Sequence, residues 1–161
     1  MTLVRISNVS DLATARACAA LDIDFIGLNL SHGKPNAISP IKVNDYIQWL
    51  SGIEIVAQAH HLDERKAKRF MELLNLKHVE ILAENYEEGG QGMWYCGSLN
   101  SPLNGTLVSK EPITDAYFEL SATQIANQSI TKKIDLPINL FETENGIDWD
   151  LVASTIARLR G

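Results

Sequence analysis

The residues best suited to chemistry in this 161-residue chain are few and scattered. His60 and His61 stand side by side at the end of an apolar run, Ile53 to Ala59. Imidazole titrates near neutral pH and ligates metals, and Glu80 or Glu84 is the carboxylate that would join it around a cation. Adjacent side chains diverge, which makes a poor chelate, so the pair reads as a loop with one ring packed. Binding of a small anion is the functional option. Cys18 lies in an Ala-rich helical stretch and Cys96 in an aromatic, strand-like one. Two unpatterned cysteines make neither a disulfide framework nor a zinc site; they read as small buried apolar residues in a reducing compartment. No metal is expected. Trp94, Tyr95 and Tyr117 read as core or edge packing, with a pocket mouth as the functional option. Glu87-Glu88 reads as a solvated loop, and Asn29 and Ser31 as hydrogen-bonding partners of their own loop.

These residues are positioned by alternating strand and helix signals. Leu3 to Ser7 is a short β-rich run, and a helix opens at Ser10 and Asp11 and runs to about Leu21. Ser10 suits the cap and Asp11 the positive end of the helix dipole. Phe25 to Leu30 is a second strand. Ser39-Pro40 is a helix start, a Ser cap with Pro at the first helical position, and Val43, Ile47 and Leu50 share one face. Ile53 to Ala59 is the third strand. Asp63 caps the third helix, whose Ala67, Phe70, Met71 and Leu74 recur at helical spacing. Val79 to Leu82 is the fourth strand. Repeated strand-helix units of this kind imply a parallel sheet, either a closed barrel or doubly wound.

The second half is less regular. Asn85 to Gly92 reads as a loop where a fourth helix is due. Met93 to Leu99, Thr106 to Lys110 and Asp115 to Leu120 read as strands, with a turn-rich stretch from Asn100 to Gly105. Ser121 and Gln124 form a capping-box pattern for a helix toward Lys133. Pro137 to Phe141 reads as the last strand, and Asp148 caps a final helix with Val152, Thr155, Ile156 and Leu159 inside.

A length of 161 residues suits a single domain, taken here as residues 1 to 161, with a core of its own. The net charge of −6 and pI near 5.1 argue against nucleic acid, which needs clustered Lys and Arg, and weakly against anionic membranes. No apolar run approaches a membrane span, and the N-terminus lacks a signal-peptide core. A cytoplasmic location is expected.

Four segments resemble phosphoribosylanthranilate isomerase. Arg5-Ile6-Ser7-Asn8-Val9-Ser10 looks like that family's opening Lys-Ile-Cys-Gly-Ile-Thr. Phe25 to Leu30 followed by Ser31 to Pro40 (SHGKPNAISP) resembles its second strand and the Lys-Ser-Pro-Arg-Tyr-Val-Ser-Pro that follows. Val79-Glu80-Ile81-Leu82-Ala83 is similar to Val-Gln-Leu-His-Gly, and Asp115 to Ser121 to Asp-Ala-Leu-Leu-Leu-Asp-Ser. The likeness is good over residues 3 to 83 and patchy beyond.

The resemblance implies a (β/α)8 barrel and a cofactor-free aldose-to-ketose rearrangement by a general base, a general acid and a phosphate cradle. Here the base position is Ser7, whose hydroxyl does not ionise near neutral pH without a neighbouring base. The glycine after it is Asn8, the family's arginine falls at Asn36, and its Gln and His become Glu80 and Leu82. The acid falls on Leu120, or on Glu142 in a second register that aligns Phe141-Glu142-Thr143 and Ile147-Asp148-Trp149. The glycine-rich phosphate segment is missing in either register. The resemblance therefore implies a shortened barrel, incomplete in its second half and without a clear eighth strand. It is closed either by the 93–110 region or by self-association as a homodimer. Ser7 and Glu142 are the candidate catalytic residues. Asn8, Asn29, Asn36, His60 and Glu80 are the candidate ligand-binding ones, facing a small phosphorylated or anionic ligand. The isomerase activity is expected to be lost or altered, the alternative being an active isomerase of tryptophan-biosynthesis type.

Overall fold

In a computed structural model, residues 1–99, 103–110, 116–119, 121 and 133–161 are described. Eight strands run in chain order around a closed barrel: β1 (Leu3–Val9), β2 (Phe25–Asn29), β3 (Glu54–Gln58), β4 (His78–Leu82), β5 (Met93–Cys96), β6 (Thr106–Ser109), β7 (Tyr117–Glu119) and β8 (Lys133–Pro137). Every neighbouring pair is parallel, and β1 pairs with β8 through Leu3 opposite Lys133 to Ser7 opposite Pro137. Closure leaves no edge to template aggregation. Helices α1 (Leu12–Ala19), α2 (Pro40–Trp49), α3 (Glu64–Leu74) and α4 (Trp149–Arg160) cover the outside. None of the described helices is long and apolar enough to cross a membrane.

The caps explain where the helices begin. Asp11 accepts from the Thr14 amide at 2.8 Å, Asp63 from Lys66 at 2.8 Å, and Asp148 from Leu151 at 2.9 Å. Asp11 is thus the N-cap of α1, where Ser10 was expected; the Ser10 hydroxyl bonds back to the Asn8 carbonyl instead. Ser39 precedes α2 without a side-chain cap, and Pro40 opens that helix as its position requires.

The eighth strand, for which no clear candidate was expected, lies just before the Pro137 to Phe141 run that reads as the last strand. It spans Lys133–Pro137, so Pro137 ends a strand and Ile138–Phe141 is a 3-10 turn. The strand was hidden because a charged residue, Asp135, stands at its centre, whereas buried parallel strands usually read as unbroken apolar runs. The chain then makes a small hairpin, Glu142–Thr143 against Gly146–Ile147, before α4. The proposed capping box and helix from Gln124 onward, and the start of the 115–120 strand, lie outside the described residues.

The 93–110 region supplies β5 and β6, so the barrel closes within one chain. Between β4 and β5 a single 3-10 turn, Ala83–Asn85, replaces a helix. The loop after it is held by Glu64, the buried first residue of α3. Its carboxylate accepts from the amides of Glu87 (3.2 Å), Glu88 (2.9 Å) and Gly89 (3.0 Å) and from the Tyr95 hydroxyl. Burial alone would raise its pKa, but these donors outweigh it and bring Glu64 down to about 2. Gly89 has φ +69, and a Cβ there would sit 1.9 Å from the Asn104 carbonyl oxygen, so only glycine lets the two loops touch.

Two cores result. The larger lies between strands and helices and includes Ile6, Ile26, Leu28, Val79, Tyr95, Leu136 and Phe141. The smaller fills the barrel interior at its lower end with Val56, Trp94, Val108 and Tyr117, against which Leu3 and Phe25 pack. Phe25 meets Trp94 edge-on at 5.0 Å and Tyr117 at 6.1 Å. Trp94 and Tyr117 are therefore packing residues, as expected.

Candidate functional site: a charged layer beneath the barrel mouth

Above the aromatic plug the interior turns ionic. Period-two alternation sends Arg5 and Ser7 of β1, Gln58 of β3, Glu80 of β4 and Asp135 of β8 inward. All five are buried, with Arg5 at 0% exposure and Glu80 at 1%. Arg5 Nη1 donates to Glu80 Oε2, and Arg5 Nε faces Asp135 Oδ1 at 3.4 Å. The guanidinium rests 5.1 Å over the Trp94 ring, which joins the two layers. Glu80 Oε1 accepts from Gln58 Nε2 at 3.0 Å and meets His60 Nε2 at 2.6 Å. Ser7 Oγ donates to Asp135 Oδ2 at 2.9 Å.

One fixed positive charge thus serves two carboxylates. Burial would raise Glu80, but Arg5 and His60 outweigh it and hold that group well below the usual carboxylate range. Asp135 is pushed up to about 7: burial is the main cause, Arg5 only partly offsets it, and the charge of Glu80 adds to it. Glu80 is the ionised partner, and Asp135 keeps its proton toward neutral pH. Arg5 Nε, Arg5 Nη2 and Asp135 Oδ1 have no hydrogen-bond partner, which marks that side as the loosely satisfied one. Gly27 makes the layer possible. A Cβ on it would lie 2.7 Å from Gln58 Oε1 and 2.9 Å from Arg5 Nη2.

The backbone of β1 departs from regular pairing here. The register with β2 slips between Ile6 and Val9, and Asn8 takes a left-handed φ of +61. The bulge aims the Asn8 amide at Gln58 Oε1 (2.7 Å) and its side chain at Asn139 Oδ1 (3.4 Å). Asn8 and Asn139 border a polar hollow of about 260 Å³ at the strand C-terminal ends, together with Lys110, Glu119, Ser121 and Pro137. Barrel folds bind ligands at that end. A larger hollow of about 660 Å³ lies at the opposite end, among Ile23, Leu50, Glu54 and Leu76.

The candidate residues are distributed as follows. Ser7 lies in the buried ionic layer. Glu142 follows the eighth strand instead of ending the sixth, is exposed, and borders a separate hollow of about 310 Å³ with Asn8 and Asn36. The structure brings Glu142 to Asn8 and Asn36 and leaves Ser7 paired with Asp135. The other acid position, Leu120, lies outside the described residues. Glu80 and His60 are brought together, with His60 turned into the barrel. His61 turns the other way, its Nδ1 accepting from the His32 amide at 3.1 Å, and burial lowers its pKa. Asn29 accepts from its own loop at the Ser31 amide, 3.2 Å, and the Ser31 hydroxyl accepts from the His60 amide at 3.1 Å. Sequence reasoning missed Arg5, Gln58 and Asp135. The signal was present in Arg5 and Ser7 and in Lys133-Ile-Asp-Leu-Pro137, where polar residues alternate with apolar ones along a strand.

No protein-family model matches the chain, and no curated protein matches it in sequence. Solved structures do. A monomeric form of the dimeric phosphoribosylanthranilate isomerase of Thermotoga maritima superposes with a TM-score of 0.73 at 15% identity, over all of both chains. TrpF from Jonesia denitrificans gives 0.73 at 13% identity over 100% of this chain and 98% of that one. The phosphoribosylanthranilate isomerase of Thermus thermophilus gives 0.67 at 15%, covering 99% and 98%. Identities this low speak for fold alone, and the fold of this chain is that of the phosphoribosylanthranilate isomerases.

Proposed function

We propose that this chain keeps the isomerase barrel without the isomerisation, and that its mouth holds a small polar or anionic ligand in a binding or regulatory role. The observation that carries this reading is the state of Ser7. At the position that the resemblance gives to the base stands a buried hydroxyl that donates to Asp135. Beneath it the interior is closed by Arg5, Glu80 and Asp135. A general base must reach the proton it removes, and a sealed hydroxyl does not. Asn8, Lys110, Glu119 and Asn139 border the hollow that would take the ligand. Self-association as a homodimer and a cytoplasmic location belong to the same proposal; the Thermotoga maritima protein is described as dimeric. Sedimentation over a range of concentrations tests the former.

The experiment is turnover of the anthranilate sugar phosphate by purified protein, beside growth of a tryptophan auxotroph lacking the isomerase. No turnover and no growth are expected, together with a rise in melting temperature when phosphorylated sugars are added. Growth would overturn the proposal. One observation favours an active isomerase as the second reading: Asp135, pushed up to about 7 and bonded to Ser7, has the proton affinity of a general base. In that case Asp135→Asn abolishes turnover.

A further inference from the structure

We propose that His60, Glu80 and Cys96 form a binding site for a zinc-class divalent cation at the top of the ionic layer. The three residues come from successive positions around the barrel: His60 just beyond β3, Glu80 in β4, and Cys96 at the end of β5. One imidazole nitrogen, one carboxylate oxygen and one sulfur lie within 4.8 Å of one another. Ligand atoms about 2.0–2.3 Å from a tetrahedral ion fall within that spread. His60 Nε2 and Glu80 Oε1, now 2.6 Å apart, would part slightly to admit the ion between them.

The donor set selects the metal. A thiolate beside an imidazole suits zinc and its neighbours and excludes magnesium and calcium, which take oxygen ligands. Three protein ligands leave a fourth position open, the arrangement of zinc sites that hold water or a small ligand. The surroundings are those of a supported site. Arg5 and Gln58 hold the Glu80 carboxylate, and the Ser31 hydroxyl fixes the His60 backbone. Cys96 is a half-buried free cysteine, in no disulfide, while the other two ligand atoms touch each other. Zinc would displace the proton that burial holds on the Cys96 thiol, and the thiolate so formed, with the Glu80 carboxylate, matches a divalent ion. The proposal does not depend on what occupies the mouth or on whether the barrel turns over a sugar.

The test uses the full chain, stripped with chelator and titrated with zinc alone by calorimetry. One equivalent is expected to bind saturably, and magnesium not at all. Cobalt in place of zinc should give a sulfur-to-metal charge-transfer band. Cys96→Ser should remove that band and weaken zinc at least 100-fold, while Cys18→Ser leaves both unchanged. In the unmutated chain, zinc should slow alkylation of Cys96, a readout that needs no variant to fold. Absence of saturable zinc binding, a cobalt spectrum without the sulfur band, or alkylation of Cys96 indifferent to zinc would each overturn the proposal.

Discussion

Replacing Glu64 by Gln tests how the barrel closes without a helix between β4 and β5. The carboxylate is buried at the start of α3 and gathers three backbone amides of the following loop and the Tyr95 hydroxyl of β5. Holding a glutamate at about 2 against its ordinary 4.5 corresponds to about 3 kcal/mol in favour of the charged form, at about 1.4 kcal/mol per pH unit. The hydrogen bonds give a similar figure, since each bond to a charged group is worth about 1.5–3 kcal/mol and an amide keeps some of them. Glu64→Gln should therefore cost about 3 kcal/mol at pH 7, a large share of the roughly 5–15 kcal/mol that a domain has. The pH dependence follows from the direction of the shift. The folded-state pKa lies below the unfolded one, so the stabilisation is complete above 4.5 and is lost as pH falls toward about 2. Urea unfolding followed by tryptophan fluorescence at pH 7, 4 and 2.5 measures it. The gap between the two proteins should shrink across that series, and Tyr95→Phe, which removes one bond to the charged carboxylate, should cost about 1.5–3 kcal/mol at pH 7. A Glu64→Gln cost below about 1 kcal/mol, against the range for bonds to charge, or a gap that ignores pH, would refute the reasoning.

Three further outcomes concern the ionic layer. Arg5→Met should destabilise by about 3–5 kcal/mol in urea, because Glu80 loses its buried partner, and replacing Glu80 and Asp135 by Leu in the same chain should restore most of it. Asp135→Asn should flatten the fall in stability between pH 4 and 7. The folded chain holds the Asp135 proton up to about 7 while the unfolded chain releases it near 3.8, so the native state loses ground as pH rises through that window. Gly27→Ala should cost about 1–3 kcal/mol by overpacking, since the new methyl meets Gln58 and Arg5 at under 3 Å; thermal unfolding reads it directly.

The first half of the fold was legible because its signals are local. Asp63 caps α3 and Pro40 opens α2 by rules that act within a few residues. Apolar runs such as Val79 to Leu82 mark strands by composition. The second half was harder for a physical reason. β8 carries Asp135 in its middle, and its burial there makes sense only once Arg5 of β1, 130 residues away in sequence, stands opposite it. The loop at 86–92 reads as solvated, and only the fold shows that its amides close onto Glu64.

The same division runs through the site. By itself the sequence carries the resemblance, which sets Ser7 against that family's base and Leu82 against its histidine, because residue identity is local information. It also determined the alternating strand-helix units of a parallel sheet, and the structure closes that sheet into a barrel. Tertiary structure alone decided that Ser7 faces Asp135, that Glu142 shares a hollow with Asn8 and Asn36, and that His60, Glu80 and Cys96 converge. Barrel closure brings together residues from strands distant in sequence, and in a sealed interior each group's charge is set by those neighbours and not by its own type.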